Sequence, residues 1–148
     1  VTSRPAPSAV PGPRPDGEQS VPGVRLGLPA TGSGSVPGWG RRVLGLVVDW
    51  ALATLIGRAF LQDALGPQFA PLLVFLLMHV LLVSTIGMTI GHAVAGTAVR
   101  RLDRPAPVGA ARGLLRGVLV VLVVPAVVWD VDRRGLHDKA AGTVVVRR

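Results

Sequence analysis

The chain has 148 residues, 49% of them hydrophobic and none of them cysteine, with a formal net charge of +8. This excludes a disulfide framework, a zinc ribbon and thiol catalysis. The apolar residues come in blocks that suit a bilayer better than one small aqueous core.

The basic residues flank those blocks without an aromatic-interleaved stripe. They read as topology signals and contacts to anionic lipid headgroups, and no nucleic-acid partner is expected. An excess of Arg, Ala, Gly, Pro and Val beside a single lysine, Lys139, is what a G+C-rich bacterial coding sequence produces.

Residues 1–38 hold eight of the 13 prolines, with Gly, Ser and Thr between them. No apolar pattern there is long enough to repay the entropy of ordering, so the segment is expected to be a disordered, solvated tail, with a Pro-rich docking segment as the alternative. It has no apolar core ahead of a small-residue cleavage site and does not read as a signal peptide.

Residues 43–61 form an apolar run of about 19 residues, roughly 28 Å as a helix, which is close to the hydrocarbon thickness. Arg41 and Arg42 stand at its entrance, and Trp39 and Trp50 suit headgroup depth. Asp49 lies in its body, where an ionisable side chain costs roughly 2.5–3.5 kcal/mol near a helix centre. A turn with Gly66-Pro67 leads into a second expected helix over residues 69–90, free of Asp, Glu, Lys and Arg, with His79 as its one titratable group. His79 reads as a packing residue or as a proton or ion relay. Gly87 and Gly91 make a GxxxG match for close helix packing.

Residues 91–116 are polar and basic, which places them in the cytoplasm by the positive-inside rule, together with the N-terminus. A third apolar segment, residues 114–129, is short for a crossing and is interrupted by Pro125. It is expected to be re-entrant or spanning, with the re-entrant form favoured. Residues 95–101 resemble residues 141–148; both are β-branched and end in arginine pairs, so they are expected to pair as strands at the cytoplasmic face. The fold class expected is all-α, with two transmembrane helices, a third short apolar segment and this small β-pairing. Residues 39–148 form the membrane domain.

Three motifs occur in order: Arg42-x-x-Gly45-x-x-x-Asp49, Thr85-x-Gly87-x-Thr89-x-Gly91, and Arg134-Gly135-Leu136-His137-Asp138-Lys139-Ala140-Ala141-Gly142-Thr143. On these residues the chain resembles the RDD family of small bacterial membrane proteins. The resemblance implies that Arg42, Asp49 and Asp138 are the family triad, in a multi-pass cell-membrane domain for which transport, including monovalent cation/proton exchange, has been suggested. The chain departs from the family pattern at His92, where a basic residue usually follows the glycine motif, and in its shorter third apolar segment.

Apart from the family, Arg42 and Asp49 are spaced to lie about 20° from one direction and about 10 Å apart on a helix. Gly45, Ala53 and Gly57 share that face, a small-residue stripe suited to close packing. Arg42 is the expected associate of Asp49, with the second helix or the terminal motif as a more distant one. Asp49 reads as a structural group, as a carrier of a proton or Na⁺ with His79 or Asp138 as second sites, or as a recognition group. Asp138 reads first as a local backbone acceptor. No metal, cofactor or enzymatic activity is expected, because no metal spacing, nucleophile elbow or phosphate loop is present. The functional expectation is a homo-oligomeric ion or small-solute transporter; the alternative is a non-transporting accessory protein that recruits partners at the cytoplasmic face.

Overall fold

Helix α1 (Trp39–Phe60) begins where Gly38, in extended conformation, leads into the apolar run, and it ends at Leu61, whose N–H bonds the Gly57 carbonyl. The computed structural model describes residues 21–122, 130 and 132–148. The buried residues of α1 are Gly45, Asp49, Ala53 and Gly57, one every fourth position and so a single stripe. Small size is required on it. A Cβ on Gly57 would stand 2.6 Å from the Pro71 nitrogen, so α1 meets α3 (Phe69–Ile86) backbone to backbone. Between them lie the single turn α2 (Gln62–Leu65) and Gly66, whose φ of 82° turns the chain back. By length and composition, α1 and α3 are long and apolar enough to cross a membrane.

The sequence places the end of the second helix at Ile90, but α3 stops at Ile86. Gly87 adopts a φ of 74°, and its N–H closes on the Leu82 and Val83 carbonyls. Thr89 then caps a new short helix, α4 (Ile90–Val94), by accepting from the His92 N–H at 3.2 Å. Gly87 is therefore a helix stop whose carbonyl receives the Val99 N–H at 2.6 Å. The close packing expected of Gly87 with Gly91 is made by Gly91, which lies against Gly45 of α1.

Strand β1 (Thr97–Arg101) pairs antiparallel with β2 (Thr143–Arg147), with Thr97 opposite Arg147 and Arg101 opposite Thr143. The pairing is shorter than the repeat because residues ahead of β2 form the helix α6 (Leu136–Ala141), closed by Gly142 at a φ of 63°. Helix α5 (Ala110–Val121) starts ahead of the expected apolar segment and packs on α3 through Gly113 and Gly117, which face Ser84, Val80 and Leu76. Residues 123–129, including Pro125, lie outside the described residues, as do residues 1–20 of the expected tail.

Residues 21–38 are not the disordered tail that their composition suggests. Arg147 of β2 donates its N–H to the Ser35 carbonyl and accepts from the Gly34 N–H, each at 2.9 Å, so this segment joins the strand edge that β1 leaves free. Val36 is buried against Val144 and Val146, with Leu26 and Leu28 packed alongside. Gly23 also donates to Asp132 Oδ1 at 3.2 Å.

Candidate functional site

The α1 stripe turns Asp49 inward, and the stop at Gly87 brings the start of α4 to meet it. Asp49 is 0% exposed. Its Oδ1 accepts from the Gly91 N–H at 2.7 Å, and its Oδ2 accepts from the Thr89 hydroxyl at 2.5 Å. That same hydroxyl lies 2.5 Å from His92 Nδ1. His79 Nδ1 donates to the Phe75 carbonyl at 3.2 Å, which leaves Nε2 as the ring's acceptor, 3.8 Å from Asp49 Oδ2. His92 Nδ1 is 3.9 Å from the same oxygen. Burial first, and the Arg116 charge after it, push the His92 imidazole well below its ordinary value, so it is neutral at pH 7.

The Thr89 hydroxyl can serve two proton arrangements with the heavy atoms in place. In one, His92 Nδ1–H donates to Thr89, which donates to the Asp49 carboxylate. In the other, a protonated Asp49 donates to Thr89, which donates to a His92 Nδ1 lone pair. A carboxyl group, a hydroxyl and an imidazole are thus in series in a buried setting.

A second polar centre forms around Asp138, which is also 0% exposed. The spacing makes Arg42 an associate of Asp49 only by reach or through water; in the structure Arg42 Nη1 donates to Asp138 Oδ2 at 3.3 Å. Seven residues along one helix hold the Arg42 and Asp49 side chains about 10 Å apart, while α6 delivers Asp138 directly. Arg116 Nε donates to Asp138 Oδ1 at 3.0 Å, the Thr143 hydroxyl donates to the same oxygen at 3.2 Å, and His137 Nε2 lies 3.5 Å from Oδ2. Asp138 is therefore more than a local backbone acceptor: it joins α1, α5 and the start of β2. Arg116 is the residue that sequence reasoning missed. Its signal was its place beside Gly113 and Gly117, a small-residue face that turns a basic side chain toward protein.

Burial alone would raise the Asp138 carboxyl, but Arg116, His137 and Arg42 outweigh it and hold it well below the usual carboxylate range. Stability from such a group is complete above its unfolded value and is lost as pH falls through the folded one. An Asp138→Asn variant should therefore trail the native chain by a constant margin from neutral pH to about pH 4, the gap closing only in stronger acid. Thermal scans of both proteins in detergent across that range check this.

Of the residues singled out from the sequence, Asp49, His79, Gly45 and Gly91 meet at the first centre, with Ala53 and Gly57 continuing its stripe, and Arg42 and Asp138 meet at the second. No family model, curated protein or solved structure matches the chain.

Proposed function

We propose that the chain is a bacterial cell-membrane protein of the RDD type that exchanges monovalent cations for protons, with Asp49, Thr89 and His92 handling the proton. The observation that carries this reading is the Thr89 hydroxyl placed 2.5 Å from both Asp49 Oδ2 and His92 Nδ1, a link through which a proton passes without displacement of either partner. His79, with Nε2 directed at the same carboxylate, supplies a further acceptor. The membrane reading is supported by large apolar side chains left exposed along both long helices, among them Leu55 at 68%, Phe60 at 81% and Leu81 at 61%, which a core helix of a soluble protein would bury.

The N-terminal end of α1, with Arg41 and Arg42, faces the cytoplasm under this proposal. The pairing of β1 with β2, and the Arg41 hydrogen bond to the Ala95 carbonyl at 2.8 Å, support a terminal segment on that same side. The two long helices among the described residues can hardly enclose a path, so the working unit is a homo-oligomer.

The test is cation-dependent proton flux in proteoliposomes. Asp49→Asn and Thr89→Val are each expected to abolish flux while eluting from gel filtration as the native protein does. Unchanged flux in a folded Asp49→Asn protein overturns the proposal. The alternative, an accessory protein without transport, is favoured by the Asp138 centre, which ties elements together and has no evident moving part; it predicts no flux from the native chain.

A further inference from the structure

A crevice of about 580 Å³ opens between α1 and α5 with α3 behind it. Its two ends differ in chemistry. At the level of the α1 entrance lie Arg42 and Arg116, two guanidinium groups that share the single carboxylate of Asp138. Further along, Leu46, Val47, Trp50 and Val121 form an apolar strip of the wall, with Asp49, His79 and His92 also lining the crevice. Val47 and Trp50 are 58% and 45% exposed, so the crevice is open on the flank of α1.

Arg116 is 3% exposed and spends Nε on Asp138; its Nη1 is buried with no hydrogen-bond partner among the described residues. A buried guanidinium nitrogen left so is costly. Asp49 feels the Arg116 charge but makes no hydrogen bond to this nitrogen. A second anion at this end would satisfy Nη1.

We propose that this crevice holds one anionic phospholipid, its phosphate on Arg116 Nη1 beside Arg42 and one acyl chain along Leu46, Val47, Trp50 and Val121. The order of the two ends matches a lipid in the cytoplasmic leaflet: charge at the α1 entrance, where headgroups lie, and apolar wall toward the bilayer centre. A guanidinium suits a phosphate oxygen pair, and a cavity of this size encloses a ligand of several hundred cubic ångströms. A free phosphate would satisfy Arg116 but leave the apolar wall uncovered.

The test is native mass spectrometry of the full chain in a neutral detergent with added phosphatidylglycerol, phosphatidylcholine of the same acyl chains, or inorganic phosphate. One phosphatidylglycerol per chain should be retained about tenfold more than phosphatidylcholine, and inorganic phosphate should not displace it. Arg116→Gln should lower retention about tenfold by removing the charge-assisted contact. Val47→Phe should do the same by filling the apolar end, and because Val47 is exposed this variant keeps the fold and decides the matter if Arg116→Gln does not fold. Equal retention of the two lipids, displacement by inorganic phosphate, or full retention in Val47→Phe overturns the proposal. The site rests on the membrane reading of α1 and α3 but not on transport. Recovery of the chain from the aqueous fraction without detergent refutes the membrane reading, whereas a detergent-requiring chain that treats both lipids alike refutes only the lipid site.

Discussion

Asp138→Asn is expected to cost about 3–5 kcal/mol of folding stability, the range for breaking a buried ion pair by removing one partner. Asparagine keeps the shape of the side chain and loses its charge. Arg42 and Arg116, with side chains 10% and 4% exposed, would then face each other across a neutral amide. Neither reaches water easily. Thr143→Val is the matched control, since it removes an uncharged donor to the same carboxylate and should cost about 1.5–3 kcal/mol. Chemical unfolding of the three proteins in detergent measures the difference. Equal losses in the two variants would show that the charge of Asp138 contributes nothing beyond its hydrogen bonds.

Gly91→Ala is expected to cost about 3 kcal/mol or more, at the upper end for overpacking, because the obstruction is largely backbone. The new Cβ would run into the Gly45 carbonyl oxygen and stand 2.7 Å from the Asp49 carboxyl carbon. Relief requires α4 to move off α1, and that motion also lengthens the Gly91 N–H bond to Asp49. Flux and stability should therefore fall together. Gly40→Ala, in the first turn of α1 with nothing within 4 Å of its Cβ, should be close to neutral. Gel filtration and thermal scans of the two variants give the comparison, and a Gly91→Ala protein as stable as Gly40→Ala would refute the backbone contact.

The parts legible in the sequence are those set by local periodicity. Gly45, Asp49, Ala53 and Gly57 fall on one helical face by spacing alone, and the cost of an ionisable group among apolar residues marks Asp49 as a group in need of partners. The strand pair is visible as a repeat. What was not legible depends on contacts remote in sequence. Local spacing ties Arg42 to Asp49 on its own helix, whereas the carboxylate it hydrogen-bonds lies 96 residues away on α6. Thr89 was read as one position in a glycine motif, since nothing local says that Gly87 takes a left-handed turn and frees the threonine to cap α4. The composition of residues 21–38 suggests no core, but docking on a strand edge draws on backbone groups, which every residue carries, and on Val36 with Leu26 and Leu28 beside it, where β2 needs cover.

The separation of Arg42 from Asp138 also sets an order of events during synthesis. At roughly 5–20 residues per second, the 96 residues between them take about 5–20 s to translate. Over that interval α1 and α3 are complete while the carboxylate that Arg42 requires has yet to be made. Under the proposed membrane placement, an arginine at the mouth of α1 tolerates the wait with its guanidinium at headgroup depth, which one at the position of Asp49 would not. Asp49 waits less than half as long, because Gly91 follows it by 42 residues. The nascent chain therefore completes the Asp49 centre first and the Asp138 centre last.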